Sequence, residues 1–191
     1  MFFEPVSPET IEQLPLALFT GRIVEVKTPR AAVKAAKELS QETLLGFDTE
    51  TRPNFTPHTA NRHKTALLQL ASGRMAFLFR LAYCGIPDAL ASLLANPDVL
   101  KIGAAIKEDI RGLQHYSSFM PLGFVDVQSL TEAVGIQEKS LKKLAAIVLQ
   151  IRLSKGQQLS NWENRVLTPA QCQYAALDAW VCREIYVKLT Q

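Results

Sequence analysis

The stretch Leu44-Leu45-Gly46-Phe47-Asp48-Thr49-Glu50 decides how this chain is read. Its apolar start predicts a buried strand. Residues i and i+2 of a strand project from one face, so Asp48 and Glu50 point together from the end of that strand. Two like charges so placed repel unless a cation lies between them, and paired oxygen donors suit hard divalent ions such as magnesium or manganese. On its own a D-x-E triplet is usually a solvated strand end. The reading needs partners elsewhere in the chain.

Two further segments supply them. In Thr168-Pro169-Ala170-Gln171-Cys172-Gln173-Tyr174-Ala175-Ala176-Leu177-Asp178-Ala179-Trp180, Thr168 reads as a helix N-cap and Pro169 as the first helical residue. Tyr174 and Asp178, four apart, share a helix face. Taken alone, Tyr174 is a half-buried aromatic with its hydroxyl in water. Asp178 is harder to dismiss, because an unpartnered carboxylate among Ala, Leu and Trp is costly. Between the two motifs, Val99-Leu100-Lys101-Ile102-Gly103-Ala104-Ala105-Ile106-Lys107-Glu108-Asp109-Ile110 predicts a short buried strand that turns into a helix. Asp109 falls in the first turns of that helix, where the macrodipole alone accounts for an acid.

In this order the three segments resemble the DEDDy group of 3'-5' exonucleases, specifically the domain shared by RNase D and the Werner syndrome exonuclease. The resemblance runs from about Gly21 to Leu189. Lys64-Thr65-Ala66-Leu67-Leu68-Gln69-Leu70-Ala71 is similar to the strand that follows the D-x-E strand, and Lys155 through Ser160-Asn161-Trp162 is similar to the segment leading into the family's last helix. By that match Asp48 and Glu50 form motif I, Asp109 motif II, and Tyr174 with Asp178 motif III. A tyrosine four before the last Asp, with Gln173 where other members carry histidine, places the chain in the tyrosine subgroup.

The resemblance implies hydrolysis of nucleic-acid phosphodiester bonds from the 3' end, with release of nucleoside 5'-monophosphates. It implies two divalent cations, Mg2+ or Mn2+. Asp48, Glu50 and Asp178 would be the nearer ligands, Asp109 would act through the second ion or its waters, and Tyr174 would orient the attacking water. The residue types agree with that chemistry: two ions about 3.5 to 4 Å apart activate water and neutralise charge at the leaving oxygen. A phenol is a poor base near neutral pH, so the tyrosine's role is positional.

The chain carries 21 Lys and Arg against 18 Asp and Glu, a net charge of +3. Two bound divalent cations would add four positive charges and strengthen attraction to a polyanion. The expected partner is single-stranded or 3'-recessed nucleic acid. Thr51, Phe55 and Lys155 are the candidate substrate-binding residues, Lys155 because it lies in the segment matching the family, Phe55 as a base-stacking group. Arg52, Arg62, Lys64, Lys107, Arg111, Lys142, Lys143 and Arg152 are further candidate phosphate contacts, though each reads first as a solvated surface charge. RNA and DNA are not distinguished, because that choice rests on contacts to the 2'-hydroxyl.

At 191 residues and 48% apolar content the chain forms a sizeable core. No long apolar run predicts a membrane helix, and Met1-Phe2-Phe3-Glu4-Pro5 lacks the charged start of a signal peptide, so a cytoplasmic location and no membrane partner are expected. Cys84, Cys172 and Cys182 fit reduced core thiols, and His58 and His63 read as loop residues.

The predicted domain organisation is an N-terminal extension, residues 1–20, packing on a single exonuclease domain over residues 21–191. Helices are expected at Ser7–Leu14, Pro29–Leu39, Pro87–Ala95, Ile106–Tyr116, Val127–Val134, Ser140–Leu149 and Pro169–Leu189. Strands are expected at Arg22–Val26, Leu44–Asp48, Thr65–Ala71, Met75–Phe79, Val99–Gly103 and Gly123–Asp126, with Asp126 capping the following helix. Early strands followed by alternating strands and helices argue for an α/β fold with a mixed sheet, in agreement with the ribonuclease H-like sheet covered by helices on both faces that the resemblance implies. Without the accessory modules of RNase D or the Werner protein, substrate capture would fall to the catalytic face or to a partner protein. Two rival functions stand beside catalysis: an inactive nucleic-acid-binding scaffold of the same fold, and a phosphohydrolase acting on small diesters.

Overall fold

The computed structural model describes residues 6–53, 64–154 and 156–191. Six strands form one mixed sheet: β1 (Arg22–Val26), β2 (Leu44–Thr51), β3 (Thr65–Ala71), β4 (Met75–Arg80), β5 (Leu100–Gly103) and β6 (Phe124–Asp126). Their spatial order is β1-β4-β3-β2-β5-β6. The central strands β2, β3 and β4 run antiparallel, while β1 lies parallel to β4, β5 to β2 and β6 to β5. Every residue of β3 is buried, as befits a strand with partners on both edges and helices on both faces.

Alternation along the strands divides the core in two. On one face Leu45, Phe47, Leu68, Leu70, Phe77 and Phe79 pack against helices α2 (Pro29–Leu39), α3 (Leu81–Cys84), α4 (Asp88–Leu94) and α5 (Lys107–Gln114). On the other, Leu67, Ala71, Ala76 and Leu78 pack against α6 (Val127–Ala133), α7 (Leu141–Leu144) and the long α8 (Pro169–Thr190). This is the ribonuclease H-like sandwich of a mixed sheet between helical layers. A short helix α1 (Pro8–Gln13) precedes the first strand; Ala17 N–H donates to the Arg152 carbonyl at 2.9 Å, and Gln173 Nε2 to the Phe19 carbonyl at 2.9 Å. Among the described residues no helix is long and apolar enough to cross a membrane.

Several boundaries differ from expectation. β2 continues three residues beyond Asp48, because β3 remains alongside to pair with it as far as Thr65, with a register irregularity at Glu50/Thr51. The helix expected over Ser140–Leu149 is α-helical only over Leu141–Leu144 and then widens into a π-helical turn, Ala145–Leu149, that ends at Gln150 with φ of 56°. Gln150 Nε2 donates to the Ala146 and Ile147 carbonyls at 3.0 and 3.1 Å, which satisfies groups left open by that turn. Asp126 caps α6 as expected, accepting from Gln128 N–H at 2.9 Å, and its Oδ1 also accepts from Ala105 N–H at 3.2 Å.

One contact fixes the position of α8. A Cβ on Gly46 would lie 1.8 Å from the carbonyl oxygen of Ala179, so strand and helix meet backbone to backbone, two residues before Asp48 and one residue after Asp178. Gly46→Ala is therefore expected to force α8 off the sheet at a cost of about 3 kcal/mol or more, read as a fall in melting temperature of roughly 6–12 °C. A melting temperature within about 2 °C of the parent would contradict this packing.

Candidate active site

α8 carries its functional residues on a helix whose start is tightly defined. Thr168 Oγ1 accepts from Gln171 N–H at 3.2 Å, and Gln171 Oε1 accepts from Thr168 N–H at 2.9 Å, a reciprocal capping box with Pro169 in the first turn. From there Tyr174 and Asp178 face the sheet end where β2 delivers Asp48 and Glu50. Carboxylate oxygens of Asp48, Glu50 and Asp178 all lie within 4.8 Å of one another. The two-residue spacing on the strand and the four-residue spacing on the helix thus converge on one hollow.

Asp109 stands apart from this trio. β5 pairs with β2 only over Leu44–Gly46 and then parts from it while staying paired with β6 through Gly103, so among the described strands none pairs with that edge of β2 beyond Gly46. α5 begins at that edge, and the Asp109 carboxylate accepts a hydrogen bond from the Thr49 hydroxyl at 2.5 Å. Asp109 is nevertheless close enough for its charge to raise the pKa values of Asp48 and Glu50.

The electrostatics are those of acids crowded together, Asp178 buried and Asp48, Glu50 and Asp109 partly so. Burial, then the charges of Glu50, Asp178 and Asp109, push the Asp48 carboxyl far above the usual range. Burial, then Asp178 and Asp109, raise Glu50 to about 9. Asp178, only 8% exposed, is raised by burial to about 6, with the shift held back by a hydrogen bond from Tyr174 and by the charge of Lys142. Burial also raises Asp109, opposed by the Thr49 hydrogen bond. These are hard oxygens, mutually repulsive and partly withdrawn from water, whose charge a bound cation would compensate.

Tyr174 is driven the other way from a base. Burial, followed by the neighbouring carboxylates of Asp178 and Glu50, raises its phenol far above the ordinary value, and it stays neutral. Its ring stands 6.1 Å from that of Trp162, which is completely buried. Trp162 is fixed from both sides: Gln171 Nε2 donates to the Asn161 carbonyl at 3.3 Å, and the buried Arg80, paired with Glu25 at 2.7 Å, donates to the Asn164 carbonyl. A segment that matched a family by sequence thus backs the tyrosine ring in space.

Of the other expected residues, Thr51 lies exposed at the end of β2, one residue beyond Glu50. Phe55, His58, Arg62, His63 and Lys155 lie outside the described residues. Cys84 and Cys182 are buried free thiols, as expected of core cysteines, while Cys172 is partly exposed. Sequence reasoning missed Thr49, because the residue between two acids on a strand points to the opposite face and carries no periodic signal. It also left Lys142 as one of many surface cations, whereas its charge acts on Asp178.

The profile of a family described as 3'-5' exonuclease matches residues 23–191. Among curated proteins, the chain is 37% identical over 150 residues to exonuclease 3'-5' domain-containing protein 2 of Drosophila melanogaster, covering 76% of this chain and 25% of that protein. It is 29% identical over 157 residues to ribonuclease D of Haemophilus influenzae, covering 82% of this chain and 38% of the relative. The chain therefore spans well under half the length of these relatives. Among solved structures, the catalytic core of RRP6 from Trypanosoma brucei superposes with a TM-score of 0.80 at 21% identity, over 96% of this chain and 52% of that one. That likeness speaks for the fold.

Proposed function

Because the chain belongs to the 3'-5' exonuclease family, of the ribonuclease D type, we propose that it removes nucleotides from the 3' end of a nucleic-acid strand by hydrolysis, releasing nucleoside 5'-monophosphates. The observation that carries the reading is the convergence of Asp48, Glu50 and Asp178 within 4.8 Å on a face backed by Tyr174.

Asp48, Glu50 and Asp178 would hold divalent cations, two of them on this reading, with Asp109 completing the second position from the edge of β2. Bound there, magnesium or manganese supplies positive charge for the phosphate and lowers the pKa of a water. Balance of the reaction is simple. A water oxygen bonds to phosphorus, the P–O3' bond breaks, and the proton lost by the water is matched by one gained at the leaving 3'-oxygen. Tyr174 contributes position: its neutral hydroxyl donates to Asp178, and the same oxygen would accept a hydrogen bond from the attacking water, with Trp162 packed beside the ring. Thr49 keeps Asp109 at the mouth of the site. Thr51, at the end of β2, is a proposed contact to the terminal nucleotide, as on sequence grounds are Phe55 and Lys155.

The test is an end-labelled single strand incubated with purified protein and magnesium or manganese. Stepwise shortening from the 3' end, absent with a chelator, is expected; matched ribo- and deoxyribo-oligonucleotides identify the sugar preference. Binding without shortening under either metal would leave an inactive scaffold, and turnover of a small chromogenic diester with no ladder would point to a small-diester hydrolase. In the same assay Tyr174→Phe is expected to lower kcat by about 100-fold while manganese affinity stays within about threefold. An unchanged kcat would remove Tyr174 from the reaction.

A further inference from the structure

The sheet also carries a buried polar side chain with no partner among the described residues. Gln69, in the middle of β3, is completely buried, and neither its amide nitrogen nor its amide oxygen has a hydrogen-bond partner. Buried polar atoms are nearly always paired, and a native exception calls for a physical reason.

Its place in the register gives one. Gln69 stands directly opposite Asp48 in the antiparallel β2–β3 pair and opposite Leu78 on β4. Opposed residues leave the sheet on the same face with Cβ atoms roughly 4.5–5.5 Å apart, so of the two side chains flanking Gln69 in that row one is apolar and the other is an acid of the trio. A glutamine amide brings two N–H donors, and an ionised carboxylate keeps acceptor capacity on the oxygen it does not give to a cation. α8 covers this part of both strands and excludes competing solvent.

We infer that Gln69 is a positioning residue for the acidic site: when Asp48 commits one carboxylate oxygen to a divalent cation, the Gln69 side-chain N–H donates to the other oxygen and fixes the carboxylate's orientation. Groups that orient metal ligands in this way typically account for 10–100-fold in affinity or activity. This inference rests on the exonuclease reading and extends it to a residue with no direct contact to substrate.

Gln69→Leu and Gln69→Met remove the donor while keeping bulk. Manganese(II) binding to the full chain, followed by the spectroscopic signal of free manganese, is expected to weaken by about tenfold in both variants. The metal-free melting temperature should stay level or rise, since two unpaired polar atoms leave the core. For a single-stranded oligonucleotide kcat should fall with KM unchanged. Manganese affinity within about twofold of the parent overturns the inference while leaving the exonuclease reading intact. A lower melting temperature with unchanged affinity, or failure of both variants to fold, assigns Gln69 to packing and overturns it as well. If the parent protein itself neither binds manganese nor shortens a strand, the exonuclease reading falls and this inference with it.

Discussion

Asp178→Asn is expected to abolish strand shortening while making the metal-free protein more stable. The two effects have one cause. Asp178 is buried on an apolar helix face beside two other acids, and its carboxyl is raised to about 6 from an ordinary 3.8. Near pH 8 its ionised form is held in place against burial and repulsion, and each pKa unit corresponds to about 1.4 kcal/mol. An amide has the same shape and can still accept from the Tyr174 hydroxyl, so the substitution relieves roughly 2–3 kcal/mol, or about 4–12 °C in melting temperature for a chain of this size. On the proposed function the lost charge is also a lost cation ligand, and an activity loss of about 1000-fold or more would follow from removing several kcal/mol of transition-state stabilisation. Asp48→Asn should behave alike, and the double variant should be little worse than either single one, because residues that act as a unit do not add. Melting curves in chelator and the oligonucleotide ladder read both quantities. Activity within about tenfold of the parent, or a fall in the metal-free melting temperature, would show that these acids are not a strained ligand set.

The parts of this site that a sequence discloses are the parts governed by local periodicity. Asp48 and Glu50 are two apart on a strand and Tyr174 and Asp178 four apart on a helix, so each pair's common direction follows from backbone geometry alone. The helix start at Thr168 is equally local, a cap and a proline followed by Gln171. What brings the two pairs together is the bare backbone contact of Gly46 with Ala179, and a glycine in a strand does not say what approaches it. Asp109 shows the limit more sharply. Its segment reads correctly as strand then helix, but its separation from the trio depends on β5 parting from β2 after Gly46, a fact about neighbours in space. The same holds for the support layer. Trp162, Arg80 and Gln69 are set in place by contacts between residues 10 to 84 apart or by the lack of one. The widened turn at Ala145–Leu149 escapes for another reason: its residues Ala-Ala-Ile-Val-Leu are compatible with an ordinary α-helix, and only tertiary packing selects the looser winding.

Metal-free protein is expected to lose stability steadily as pH rises from about 5 to about 8, and a divalent cation to restore more of it at the alkaline end. Glu50 ionises near 9 in the folded chain against 4.5 ordinarily. Between those values the folded protein holds a proton that the unfolded chain has released, so stability falls as pH rises. The contribution is fully present below about pH 4.5 and gone above about pH 9. Asp48, raised well above its ordinary value by burial and by Glu50, acts in the same direction, and Asp178 adds its share between about 4 and 6. Above pH 8 a different group intervenes. Lys101 donates to the Asn96 and Leu122 carbonyls at 2.7 Å, and its burial lowers its pKa to about 8, so its contribution changes with the opposite sign. The window from pH 5 to 8 therefore isolates the acids. A cation must displace the protons they share, so its affinity grows with pH, and the stabilisation it confers grows with the ratio of its concentration to its dissociation constant. The expected result is a rise in melting temperature with millimolar manganese or magnesium that is several degrees larger at about pH 8 than at about pH 5. Proton release on metal addition in weak buffer should accompany it. In Asp48→Asn and Asp178→Asn both the pH slope and the metal-dependent rise should shrink, which ties the effect to these carboxyls rather than to the chain's three histidines. A metal-free melting temperature that is flat or rising across that window, or a metal effect equal at both ends, would mean that the acids do not share a common hollow in solution.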